Sequence, residues 1–244
     1  MRTFALVLCW LPIAQQSMAS TVSWTFGRGA NGVNGLASAV ATSNGVALSL
    51  TAEPQGAALA EVSAGGLGVN SRGIAGVVDD SNDKFDVLGG TLAGQSEGLT
   101  FSFDTDGVLN ELRFDGLKDE SFEHFRFETP TGQVFTLFDS QIGLRLIDVG
   151  SIGLPGVTLL AESGGLDDDL VGLSIPFRAG DVFRLTYGEY LPDPSELVVS
   201  FNPQTGNGGR FQGVTITAIP EPATLLVFAA GLAAAAPRRR QFRP

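Results

Sequence analysis

The 244-residue chain has one cysteine, one histidine, two tyrosines and two tryptophans. Cys9 lies in an N-terminal stretch laid out as a removable leader, so the body that follows has neither a disulfide nor a thiol nucleophile. With His124 as the sole imidazole, no zinc site can be assembled on two histidines. A serine triad would have to recruit that same residue. Helical patterning is missing as well: upstream of residue 219 no 3.6-residue apolar period lasts three turns, which speaks against a parallel sheet covered by helices. There is no long internal repeat.

What is present falls into three parts. Residues 1–19 carry Arg2, an apolar stretch over residues 4–14 and a polar region ending Ser17-Met18-Ala19. Small residues at Ser17 and Ala19 predict cleavage between Ala19 and Ser20, the layout of a secretory signal peptide. The apolar stretch is too short for a permanent anchor and is interrupted by Pro12. Export is therefore expected to begin at a secretion translocon.

Residues 219–244 combine three different devices. Pro220-Glu221-Pro222 is stiff, because each proline fixes φ, lacks an N–H and disfavours helix at the preceding residue. Residues 223–236 are uncharged and apolar on every side, with Leu225, Leu226, Val227, Phe228 and Leu232 among alanines. As a helix this run spans roughly 21 Å, short of the ~30 Å hydrocarbon core of a bilayer. Arg238, Arg239 and Arg240 follow, a cationic stop that snorkels to headgroups and marks the cytoplasmic side. The pattern predicts a transmembrane helix that holds the chain temporarily, against the alternative of a buried C-terminal core helix.

In this order, Pro220-Glu221-Pro222, the apolar helix and the terminal arginines resemble the PEP-CTERM sorting domain of Gram-negative bacteria. The resemblance implies processing near the tripeptide by an exosortase, an integral-membrane enzyme, after a transient stay in the inner membrane. It further implies release to the cell surface or the extracellular space, with exopolysaccharide or biofilm matrix as the setting. Leu67-Gly68-Val69, Asp86 and Glu97-Gly98-Leu99-Thr100-Phe101-Ser102-Phe103 are loosely similar to a glycine-rich sandwich pattern found with such tails.

The body, residues 20–218, carries 10 basic and 25 acidic residues, a balance of −15. Nucleic acid and anionic membrane surfaces are poor partners for it; cations and neutral polymers remain. Its apolar residues alternate with polar ones. Val46, Leu48 and Leu50 follow Asn44-Gly45, a dipeptide suited to a two-residue hairpin turn. Leu99, Phe101 and Phe103 alternate, then Leu112 and Phe114, then Phe125 and Phe127 before the Thr129-Pro130-Thr131-Gly132 turn into residues 134–138. Further strands are expected over 22–26, 143–149, 157–161, 173–177, 182–187, 197–201 and 211–218. Period-2 faces with turns every 8 to 12 residues predict an all-β fold, an antiparallel β-sandwich or jelly roll with the phenylalanines as core. The glycine-rich and acidic residues 64–83 read as a loop across the sheet rim. Gly66-x-Gly68 lacks the third glycine and the following helix that dinucleotide binding needs.

Chemistry-bearing residues are few. Gly94-Gln95-Ser96-Glu97-Gly98 matches Gly-x-Ser-x-Gly, but a nucleophile elbow requires a helix next, and a strand is expected there; it reads as a turn. His124 reads as a packed or surface strand residue. Calcium is the one metal whose donors are available, because hard cations take several oxygens from an adaptable loop. Asp104, Asp106 and Asn110 form the chosen cluster; Asp79, Asp80, Asn82 and Asp83, and Asp167, Asp168 and Asp169, are others. Solvated turns are the plain alternative for each, and no other cofactor is expected. The chain is thus expected to be a non-catalytic surface or extracellular-matrix protein. The alternative is a jelly-roll carbohydrate-binding module for a neutral glycan, with Trp24, Tyr187 and Tyr190 as its aromatic candidates.

Overall fold

Alternation of apolar and polar residues makes each strand two-faced, and the buried faces decide how the strands assemble. In a computed structural model, which describes residues 19–27, 31–62, 65–81, 83–115, 124–138, 145–148, 158–162, 168–188 and 208–219, every strand pairing is antiparallel. No helix occurs among the described residues.

The strands are β1 (Ser20–Thr25), β2 (Ser38–Ser43), β3 (Val46–Glu53), β4 (Ala58–Val62), β5 (Gly66–Asn70), β6 (Val77–Val78), β7 (Gly89–Gly90) and β8 (Gly98–Phe103). They continue with β9 (Asp106–Asp115), β10 (His124–Glu128), β11 (Val134–Phe138), β12 (Arg145–Asp148), β13 (Thr158–Glu162), β14 (Asp168–Phe177), β15 (Phe183–Gly188) and β16 (Arg210–Ile219). One sheet runs β13-β14-β9-β16-β5-β4, with β1 also pairing β16; the other runs β12-β11-β10-β15-β8-β3-β2. The short strands β6 and β7 form a separate ribbon.

The two sheets face each other through phenylalanine. Phe101 of β8 stacks on Phe127 and Phe183 of its own sheet and on Phe211 of the opposite one, at centroid distances of 5.2 to 6.3 Å. Phe114 meets Phe125 across the interface at 4.8 Å, and Trp24 meets Phe103 at 5.4 Å. These rings are all buried, and the Trp24 indole N–H donates to the Ala41 carbonyl at 3.2 Å. The result is a β-sandwich-like fold whose interior is the alternation seen in the sequence.

Local signals explain the connections. Asn44 and Gly45 both have positive φ, 49° and 80°, as the β2–β3 turn requires. Thr129 caps the β10–β11 turn, its carbonyl accepting from Gly132 N and its hydroxyl from Gln133 N. The turn at residues 104–105 carries the chain from one sheet to the other, since β8 and β9 belong to different sheets. On β9 a bulge opposite Thr215/Ile216 lets both Leu109 and Leu112 face inward.

Two expectations change. Residues 64–83 are not a simple rim loop, because 66–70 form β5, paired with β4 and with β16. Glycine is needed there for proximity: a Cβ on Gly68 would sit 2.4 Å from the Asp83 carbonyl oxygen, so the returning chain lies directly on the strand. The strand expected over 173–177 starts earlier, at Asp168, with a register shift between Gly172 and Ile175. The strand expected over 197–201, residues 1–18 of the signal peptide and residues 220–244 of the C-terminal tail lie outside the described residues, while Ile219 ends β16.

Candidate functional site

The outward residues of β10, β15, β8 and β3 form a row whose composition follows from register. Arg126 pairs Thr186, Thr186 pairs Gly98, and Gly98 pairs Glu53. Gly98 has no side chain and its neighbours close in over β8: a Cβ there would press on Leu185 O and Thr186 Cγ2, both at 2.9 Å. Arg184, one alternation further along β15, reaches over β8 to Glu53, Nε to Oε2 2.7 Å. Gln55, Gln95 and Ser96 complete the walls of an open cleft of about 420 Å³. Arg126 has no hydrogen-bond or ion-pair partner among the described residues.

One wall of this cleft is held by a buried polar system on the other side of the same chain segment. Residues 86–88 and 95–97 form a narrow ladder: Leu88 N donates to Gln95 O, Glu97 N to Asp86 O, and Tyr187 N of β15 to Glu97 O, at 2.8 to 3.0 Å. Ser96 turns to the cleft; Glu97 turns inward and is fully buried. Its Oε1 accepts from Ser71 Oγ at 2.5 Å and its Oε2 from Asp86 N at 3.0 Å. Asp79 accepts from Ser71 N and Ser81 N, at 2.8 and 3.0 Å, and Arg72 donates to the Asp79 and Asp80 carbonyls. These contacts tie the excursion between β5 and β8 to the sandwich.

Burial, reinforced by the nearby charges of Asp79 and Asp86, pushes the Glu97 carboxyl from 4.5 up to about 9, overriding its hydrogen bonds. At neutral pH Glu97 is therefore an uncharged acid. Burial also raises Asp79, against the N–H groups of Ser71 and Ser81 and the charge of Arg72. Asp86 is raised by burial and by the charges of Asp80 and Asp79. For Asp83 burial again acts upward, but the hydrogen bond and charge of Arg210 outweigh it and the net shift is downward. Arg210 bridges Asp83 Oδ2 at 2.8 Å and Asp115 Oδ2 at 3.3 Å, clamping the same excursion to β9.

The sequence-selected residues are dispersed. Asp104 Oδ1 accepts from Ala47 N at 2.9 Å, Asp106 Oδ1 from Ala179 N at 2.8 Å, and Asn110 Nδ2 donates to Thr217 Oγ1 at 2.7 Å. Each has a separate task in joining strands and turns, and among the described residues no group of three or more His, Cys, Asp or Glu is placed to hold a metal. Asp79 and Asp83 serve the excursion as described; Asn82 and Asp167 lie outside the described residues. His124 is buried on β10. Ser96 begins no helix: β8 starts two residues later. Ala19 and Ser20 sit where β1 begins. Pro220, Glu221, Pro222, Arg238, Arg239 and Arg240 lie outside the described residues. Trp24 and Tyr187 are core residues, 3% and 1% exposed, so neither offers a ring to a sugar; Tyr190 is outside the described residues. Among the residues whose burial is described no aromatic side chain is exposed.

The buried acid was legible in principle. Glu97 shares the parity of Leu99, Phe101 and Phe103, and Ser71 that of Leu67 and Val69, so the period-2 pattern carried one step further places both inside. Arg126 and Arg184, each flanked by buried residues, are outward by the same rule, but their convergence over Gly98 depends on strand order.

Comparison with protein-family models, with curated proteins and with solved structures gives no match. The fold defines the class: an all-β protein of antiparallel sheets, β-sandwich-like, with a polar cleft on the outer face of one sheet.

Proposed function

We propose that this is an exported, non-catalytic surface or extracellular-matrix protein, a jelly-roll-like β-sandwich sorted through a PEP-CTERM-type tail. The observation that carries it is the order of devices at the C-terminal end: Pro220-Glu221-Pro222, an apolar run of 14 residues, then Arg238-Arg239-Arg240. A run this short serves temporary retention better than permanent residence in a bilayer. The N-terminal leader pattern, the acidic body and the all-β fold support the same reading, since an acidic sandwich without thiols suits an oxidising exterior.

The partners are then a secretion translocon, which removes residues 1–19, and an exosortase-type membrane enzyme acting near Pro222. A neutral-glycan module is the less favoured alternative, because Trp24 and Tyr187 are buried. Mass spectrometry of the protein recovered from outside its cell tests the sorting reading. The expected mature chain begins at Ser20 and ends near Pro222; an intact Pro244 on exported material overturns it.

A further inference from the structure

We propose that the cleft over Gly98 binds an acidic saccharide, with Arg126 receiving the carboxylate of a uronic acid unit. The cleft lies wholly in the folded body, and the proposal goes beyond the sorting reading without depending on it.

Its volume, about 420 Å³, falls within the range of small-molecule sites, roughly 300–1,000 Å³. Its lining is polar: two guanidinium groups, the carboxylate of Glu53, the side-chain amides of Gln55 and Gln95, and the hydroxyls of Ser96 and Thr186. Amides and hydroxyls both donate and accept, which is what sugar hydroxyls require. With no aromatic in the lining, a ligand is held here by hydrogen bonds and charge and not by stacking.

The two arginines have different assignments. Arg184 is engaged by Glu53 at 2.7 Å, whereas Arg126 is exposed and has no partner among the described residues. A planar carboxylate matches a guanidinium fork through two parallel hydrogen bonds, so Arg126 selects that group over a hydroxyl. The peptide alternative is disfavoured because Pro54 is the only apolar side chain in the lining, leaving little to receive a peptide's apolar residues.

Charge also restricts the ligand. The body is strongly acidic, so a densely charged polyanion approaches against a repulsive field. A chain with isolated uronic acids among neutral sugars meets the Arg126 guanidinium without that penalty.

The test is calorimetric titration of the purified full chain at pH 7 with xylotriose bearing one glucuronic acid. Unsubstituted xylotriose, inorganic phosphate and an acetylated Gly-Glu-Gly amide are the comparison probes. The acidic saccharide is expected to bind at least tenfold more tightly than each of these. Arg126→Ala should reduce its affinity at least tenfold with an unchanged unfolding midpoint, Arg126→Lys should restore part of it, and Gln95→Ala should weaken both saccharides. Equal affinity for the neutral trisaccharide, equal affinity for phosphate or the peptide, no measurable binding of the acidic saccharide, or an Arg126→Ala variant that binds unchanged would each overturn the proposal. None of these outcomes bears on the termini of the exported chain, so the sorting reading stands or falls separately.

Discussion

Replacing Glu97 by glutamine should abolish a pH dependence of stability that the native chain carries. Glu97 is fully buried, and its carboxyl is raised from 4.5 to about 9 by burial and by Asp79 and Asp86. Below pH 4.5 the folded and unfolded chains both hold this proton, and burial carries no ionisation penalty. Between pH 4.5 and about 9 the unfolded chain releases it while the folded chain keeps it, so stability falls as pH rises. The slope for one proton is about 1.4 kcal/mol per pH unit. From pH 5 to pH 8 the native protein therefore loses about 4 kcal/mol that the glutamine variant does not lose. Glutamine preserves the local bonding: its carbonyl accepts from Asp86 N, and its amide donates to the Ser71 hydroxyl, which can also act as acceptor. Urea unfolding at pH 5, 6, 7 and 8, followed by the fluorescence of buried Trp24, measures the difference. The variant should be within about 1 kcal/mol of the native chain at pH 5 and should pull ahead steadily thereafter. A stability difference that stays flat from pH 5 to 8 would refute the assignment of Glu97 as a neutral buried acid.

Two other substitutions probe how the excursion between β5 and β8 is held. Gly68→Ala would drive a Cβ into the backbone of Asp83 and Lys84; destabilisation of about 3 kcal/mol is expected, measurable as a lower urea midpoint with little change in slope. Arg210→Met removes the shared partner of Asp83 and Asp115 and should cost about 2 kcal/mol at pH 7. Because the Asp83 pKa is lowered in the folded state, its contribution is present above the unfolded value of 3.8 and is lost as pH falls through the folded one. The difference between native and Arg210→Met should accordingly shrink on acidification below pH 4, and a difference independent of pH there would contradict the assignment.

Much of the architecture could be read before any coordinates. The alternation Leu99-Thr100-Phe101-Ser102-Phe103 and the pairs Phe125/Phe127 and Leu112/Phe114 mark inward faces because successive strand side chains point to opposite sides. Asn44-Gly45 announces its hairpin because few dipeptides accept positive φ at both positions. Residues 64–83 read as a loop for an equally physical reason. Glycine in a strand resembles glycine in a loop until the chain that crosses it is known, and Gly68 is small because Asp83 lies against it.

The site residues divide along the same line. Asp104 and Asp106 stand out in the sequence as neighbouring acids in a turn, yet they bond to backbone groups on β3 and beside β14 that are distant in sequence. Glu97 does not stand out as an acid in the sequence, because its notable property is burial.

The sequence by itself determined the faces of the strands, the acidic character of the body and the three-part tail, because these are local: they depend on residue spacing of one to four positions. Only the tertiary structure decided that Arg126, Thr186, Gly98 and Glu53 form one row and that Ser71, Asp79 and Asp86 surround the buried Glu97 carboxyl. Those groupings depend on which strands are neighbours, and strand order is set by how all the buried faces pack at once.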